Sequence, residues 1–355
     1  LFIINRRNDA ACLEFVPGDE ELALNTQEPG DIVVKSRLLL SLFLTCISIT
    51  GGHAYSQEWP QVPVKVLVPF DAGSTPDLVA RVIGDRLASR LHQAFVVENR
   101  SGAAGNIGTD MVAKAEGDGR TIGVSIAGPL GVNALLFRKM PYDTSRDIGL
   151  VSIAVSQPSV LVVGSRLSTT DAKQLSALMR DKSKLSFASI GAGSISHLAM
   201  AALVAQAGGD AVHVPYRGSG AAVTALLSGE VDMGLLPAAA VMPHVKAGKL
   251  RALAVASPSR SPSLPELPTL AQSGLPDIKG DAWIGFIVPA KTPAAIVDAL
   301  RDQIAQVLAE PAVKDKLRMQ YMDPVGNSPE EFRRLLAADV ARWKPVVERN
   351  KITLD

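Results

Sequence analysis

The sequence predicts an α/β protein of about two domains. The chain has 355 residues, more than one small core needs. Hydrophobic residues make up 47% and aromatics only 5%, an Ala-, Val- and Leu-rich mixture that suits sheets layered with helices. Short β-branched runs also alternate with Gly/Ser-rich turns and amphipathic segments, which implies parallel strands joined by crossover helices. Lys plus Arg number 36 and Asp plus Glu 35, so the charge balance argues against a nucleic-acid partner.

Residues 1–33 are mixed in charge and show no clear period. They are read as a leader outside the fold, either disordered or upstream of a translation start near Val34. Residues 34–56 read as a signal peptide: Lys35 and Arg37, an apolar run from Leu38 to Ile49, then small residues up to Ser56. The run is short for a membrane span, and Phe43-Leu44-Thr45 ahead of Cys46 makes a poor lipoprotein box. An exported, periplasmic location is expected. Cys12 and Cys46 both precede the expected cut, so the region 57–355 holds no cysteine. That excludes a disulfide frame, a thiol nucleophile and a thiolate metal site there.

The elements follow in order. "VKVLVPF" is a strand. "DAGST" is a loop, and "PDLVARVIGDRLASRL" is a helix with Val79, Val82, Ile83 and Leu87 on one face. Pro76 and Asp77 suit its first turn. "AFVVEN" is a second strand, "GAAGNIGTDMVAKAE" a loop entering a helix, and "TIGVSIA" a third strand. A second set begins at "SVLVVG" and runs through "KLSFASIGAGSISHLAMAALVAQAG" and "AVHVPYRGSGAAVTALLSGE" to "VDMGLLP", "AAVMPHVKAG" and "LRALAVAS". Ser257–Pro276, rich in Ser and Pro, reads as a long connection. "DAWIGFIVPA" is a strand, and two helices close the chain. Ser328-Pro329-Glu330-Glu331 opens the last with a capping box. The domains expected are 57–155 plus 257–355, and 156–256.

Nucleotide and hydrolase motifs fail on inspection. No Gly-rich loop carries the Lys-Ser/Thr of a phosphate-binding P-loop. "GAGSIS" places Ser196 where a dinucleotide fingerprint needs its third Gly, and no acidic residue follows on the next strand. There is no Gly-x-Ser-x-Gly elbow and no metal-ligand spacing, so no cofactor or metal is expected. What remains are three strand-to-helix loops: "DAGSTPD", "SIGAGSISH" and "YRGSGAA". The first backbone N–H groups of a helix lack intrahelical acceptors and carry partial positive charge. Several such ends facing one crevice favour a small carboxylate or phosphate.

At these loops the sequence resembles the tripartite tricarboxylate transporter receptors, the Bug or TctC-type periplasmic solute-binding proteins. The likeness rests on "VPFDAGSTPDLVARVIGDRL", "VVENRSGAAGNIGTDMVAKAEGDGRTI", "SIGAGSISHLA", "HVPYRGSGAAVTALLSGEVDM" and "MPHVKAGKLRALAVASPSRSPSLPELPTLAQSGLP", and covers nearly all of 57–355. It implies a type II periplasmic-binding-protein fold, two α/β domains crossed twice by the chain with a ligand cleft between them. It implies a receptor, without catalysis, that delivers a small carboxylate to the membrane subunits of a tripartite tricarboxylate-type transporter, and a monomer is expected because hinge closure needs both domains free to move. By the resemblance Phe70, Gly73, Ser74 and Thr75 line one wall. Ser189, Gly191, Ser194 and His197, with Gly218 and Ser219, line the other, and Asn133 lies near the cleft. The chain departs from the family pattern at Asp71, which adds a negative charge beside the site, at Ser74 in place of Gly, and at Pro76, which removes an N–H. Leu236 and Pro237 stand where polar residues are common, which implies a less polar cleft. Two alternatives stay open: a ligand-sensing accessory of a two-component sensor, and an enzyme on the same scaffold with His197 as base.

Overall fold

The computed structural model describes residues 2–7, 10–15, 59–181, 185–275 and 278–354. The chain divides into two compact units, 1–57 and 58–355. In the first, β1 (Phe2–Arg7) and β2 (Ala10–Phe15) pair antiparallel, Phe2 opposite Phe15. The expected signal peptide lies outside the described residues.

The second unit is a mixed α/β structure built on two sheets. One has the strand order β13-β6-β12-β5-β3-β4, from β3 (Val64–Val68), β4 (Phe95–Asn99), β5 (Thr121–Ser125), β6 (Ile148–Gln157), β12 (Ala282–Pro289) and β13 (Asp323–Pro324). The other has the order β11-β7-β10-β8-β9, from β7 (Ser159–Val163), β8 (Leu185–Ser189), β9 (Ala211–Pro215), β10 (Met233–Pro237) and β11 (Arg251–Val255). The crossover helices that matter to the site are α1 (Thr75–Leu91), α2 (Asn106–Lys114), α3 (Ala172–Arg180), α4 (Ile195–Ala207) and α5 (Ser219–Ser228). Beyond them lie α6 (Ala238–Lys246), α7 (Ala294–Ala309), α8 (Pro311–Arg318) and α9 (Pro329–Asn350). The capping box at Ser328 and Glu331 forms as the sequence predicts. Helix α8 has no counterpart in the sequence reading.

The expected parallel pairing holds for part of each sheet. In the first sheet β3 pairs parallel with β4 and β5, but β12 runs antiparallel to β5 and β6. In the second, β8 pairs parallel with β9 and β10, while β7 runs antiparallel to β10 and β11. Apart from the two-residue β13, which also runs antiparallel to β6, the odd strands are the two by which the chain enters each sheet from the other. β7 follows β6 after Pro158 alone, and β12 follows the long connection from β11. Neither has a crossover helix to carry the chain back to its starting end, so each inserts in the opposite sense.

The two crossings are tied to each other. Ala256 N–H donates to the Ser159 carbonyl at 2.9 Å and Gly280 N–H to that of Ala256 at 2.8 Å. The Ser159 hydroxyl donates to the Gly280 carbonyl at 2.6 Å and that of Ser257 to Asp281 Oδ1 at 2.6 Å. One apolar cluster includes Leu67 and Leu130, Phe187 and Leu198, and Trp343 and Val347 of α9. The C-terminal helix thus packs with side chains that belong to both halves.

Candidate functional site

The opening loop is built around a buried acid. Asp77, 3% exposed, accepts from Gly73 N–H at 2.9 Å, Arg81 Nε at 3.1 Å and Asn99 Nδ2 at 3.0 Å. Burial would raise its carboxyl, but the hydrogen bonds from Arg81, Gly73 and Asn99 outweigh it and hold the group below its ordinary value. Asp77 closes the turn on itself, and Gly73 meets the bend at φ +81. Asn99 Nδ2 also donates to the Phe70 carbonyl at 2.9 Å, so β4 braces the same loop. Ser74 occupies the N-cap of α1 without capping it. Its hydroxyl is buried and has no hydrogen-bond partner among the described residues. Pro76 has no N–H, which leaves Thr75 and Asp77 as the first N–H donors of this end. Thr75 is half-buried, and Asp71 is exposed with its carbonyl accepting from Ser74 N–H at 3.1 Å.

Beside this loop lies a second one, held in strain. Gly102, Ala103, Ala104 and Gly105 have φ of +130, +47, +52 and +90. Left-handed backbone costs an L-residue roughly 1–2 kcal/mol, so the two alanines need support. It comes from beneath. Asn133, 2% exposed, donates from Nδ2 to the Ala104 carbonyl at 3.1 Å and to Asn106 Oδ1 at 2.7 Å. The Tyr142 hydroxyl, pushed up by burial, donates to the Pro129 carbonyl at 2.6 Å. Glycine is required at 105 because a Cβ there would sit 2.9 Å from the Phe70 ring and 2.6 Å from Pro129.

The loop after β8 is wired by hydroxyls and imidazoles. Ser189 is fully buried, and its Oγ donates to the Gly191 carbonyl at 2.9 Å while Gly191 N–H donates back to it at 3.2 Å. Ser194 caps α4, accepting from His197 N–H at 3.3 Å, and its Oγ donates to the Gly191 carbonyl at 2.6 Å. His197 Nδ1 accepts from Gly193 N–H at 3.1 Å. Against the His197 ring lies that of His213, 3.6 Å away and 8° from parallel. Burial, and for His197 also its neighbour His213, lowers both imidazoles to about 4. Both are therefore neutral near pH 7.

A family model described as "tripartite tricarboxylate transporter family receptor" matches residues 79–352. The chain belongs to that family. This receptor is 38% identical over 315 residues to a UPF0065 protein encoded between tcbD and tcbE in Pseudomonas sp., covering 88% of this chain and 94% of that one. It is 35% identical to BugT of Bordetella pertussis, with 88% and 97% covered. Among solved structures it is similar to an R. palustris protein with adipate, at 34% identity and TM-score 0.77, with 83% and 99% covered. It is also similar to MatC of Rhodopseudomonas palustris with bound malate, at 30% identity and TM-score 0.72, with 81% and 100% covered. The type II periplasmic-binding-protein fold with two α/β domains follows from these likenesses and the two sheets.

The receptor's remaining predicted positions fall as follows. Gly218, at φ +87, stands at the N-cap of α5, and its N–H donates to the Ile190 carbonyl at 3.3 Å. Ser219 opens that helix, half-buried. The loops around Gly191 and Gly218 are therefore neighbours, as are those around Phe70 and Gly105. Gly193 approaches Leu136 and Leu354, whose side chains a Cβ would meet at 2.5 and 3.1 Å. Leu236 is fully buried in the apolar core with Val160 and Ala188, so its side chain fills the domain interior rather than a polar surface. Two residues that hold these loops are not legible as such in the sequence. In sequence Asp77 suits the first turn of α1, and its role as a loop staple needs Asn99 from another strand. His213 had no signal, because only pairing of β9 with β8 sets it opposite Phe187, two residues before Ser189.

Proposed function

We propose that this receptor is extracytoplasmic, that it captures a small dicarboxylate between its two α/β domains, 57–155 with 257–355 and 156–256, and that it hands the ligand to the membrane subunits of a tripartite tricarboxylate-type transporter. The observation that carries the reading is the unpartnered Ser74 hydroxyl at the N-terminus of α1, one of several donor-bearing helix ends reached by Gly/Ser loops. The N-termini of α4 and α5 supply a second group of donors through the loops at Ser189–Ser194 and Gly218–Ser219. Backbone N–H groups and hydroxyls suit a carboxylate without an ion pair, and both imidazoles nearby are neutral. The adipate and malate carried by similar receptors support a dicarboxylate. A ligand that touches both groups of loops favours the closed arrangement by its differential affinity. No turnover is expected.

The test is calorimetry and thermal unfolding of the full chain with adipate, succinate, malate and citrate, and with neutral amides as controls. Ligand at about 100 times its dissociation constant stabilises by about 2.7 kcal/mol. Saturable binding of one diacid, lost in Ser194→Trp with the fold retained, supports the reading. A folded protein that ignores every acid, or a Ser194→Trp variant that binds like wild type, overturns it.

A further inference from the structure

We infer that His213 is a positioning residue of the ligand site: through Ser189 it holds the Gly191 peptide in the orientation that keeps its carbonyl oxygen away from a bound anion. The inference rests on the proposed site at the Ser189–Ser194 loop. His213 lies on β9, its ring against that of Phe187, at 5.0 Å and 25°, and against that of His197, at 3.6 Å and 8°. Its Nε2 is 2.7 Å from Ser189 Oγ. Either Ser189 Oγ or His213 Nε2 can carry the proton between them, and we assign it to His213. A serine hydroxyl has one proton, and here it goes to the Gly191 carbonyl. Ser189 Oγ is then the acceptor for both Gly191 N–H and His213 Nε2–H. In this assignment His213 carries its proton on Nε2.

The consequence concerns one carbonyl. The Gly191 oxygen receives the hydroxyls of Ser189 and Ser194 and the N–H of Ser194, at 2.9, 2.6 and 3.2 Å. Gly191 sits at φ +145, where a glycine peptide can rotate freely. A rotated peptide would turn its negative end toward the ligand. The His213–Ser189 pair opposes that rotation: with the imidazole donor in place, the only proton left on Ser189 points at the Gly191 oxygen. Without it, the hydroxyl loses one of its two N–H partners and the loop one of its restraints. The aromatic stack with Phe187 and His197 keeps the His213 ring from swinging away. His197 restrains the next turn of the same loop through Gly193.

The experiment compares three variants of the full chain, with the acid that saturates wild type among adipate, succinate, malate and citrate. His213→Phe keeps a ring in the stack and removes the donor. His213→Gln restores an N–H at similar reach without the ring. Ser194→Trp blocks the loop. The expected result is binding about tenfold weaker in His213→Phe, the worth of one hydrogen bond, recovery close to wild type in His213→Gln, and none in Ser194→Trp. If His213→Phe binds like wild type while Ser194→Trp does not, the positioning role is wrong and the site stands. If His213→Phe and His213→Gln are equally weak, the stack and not the donor matters, and the inference falls. If Ser194→Trp binds like wild type, the site itself is wrong. Should His213→Phe fail to fold, Ser189→Ala removes the same link from the other side, and its unchanged affinity would equally overturn the proposal.

Discussion

Asp281 offers a quantitative test of how the two crossings are held. Its carboxylate accepts from the Ser257 hydroxyl at 2.6 Å and from Ser159 N–H, joining the run that enters the second sheet to the one that leaves it. Burial pushes its carboxyl from 3.8 up to about 6; the Ser257 and Ser159 hydrogen bonds pull it down, and the charges of Asp323 and Asp339 add to the rise. The folded state therefore holds this proton more tightly than the unfolded chain. The resulting stability is complete below the unfolded value and is lost as pH rises through about 6. Each tenfold change in proton affinity is worth about 1.4 kcal/mol, which gives a ceiling of about 3 kcal/mol. Asp281 keeps some contact with solvent, which reduces the expectation to about 2 kcal/mol. Asp281→Asn cannot ionise, and it can still accept from Ser159 N–H while donating to Ser257. Urea unfolding of both proteins at about pH 4 and about pH 8 should show the variant gaining about 2 kcal/mol on wild type across that interval. A difference that stays constant with pH would mean that the carboxylate is hydrated like a surface group, and the reasoning from burial would fail.

Other predictions concern the loops. Asp77→Ala should cost about 2–3 kcal/mol, because it strands the Gly73 N–H and the Asn99 amide; a loss below ~0.5 kcal/mol in chemical denaturation would show that the staple is dispensable. Ala104→Gly should stabilise the protein by about 0.5–1 kcal/mol, since Ala104 sits at φ +52, and a lower melting temperature would contradict the strain argument. His213 and His197 are lowered from 6.5 to about 4, so the folded state binds fewer protons than the unfolded one between those values. Their contribution is present above 6.5 and is lost as pH falls toward 4. Relative to wild type, His213→Phe should lose less stability over that acid interval, and parallel pH profiles would sink the assignment.

The sequence alone determined the local pieces. Alternating β-branched runs and amphipathic segments placed the strands and most helices, and Ser328 with Glu331 marked the start of α9, because these signals act within one turn of chain. The Gly/Ser loops were legible as donor-bearing helix entries for the same reason. Strand direction was not legible: the runs at Ser159–Val163 and Ala282–Pro289 look like any buried strand, and only passage between two sheets makes them antiparallel. Nor was the wiring of the site. Asp77 reaches Gly73 within its own loop but needs Asn99 from β4. His213 reaches Ser189 only because β9 lies beside β8 in register, and Leu236, which reads as a change at the cleft, turns into the core. Hydrophobic periodicity sets which face of a strand is buried. Which hydroxyl meets which imidazole depends on strand order and register, and these are settled only when separate segments pack together.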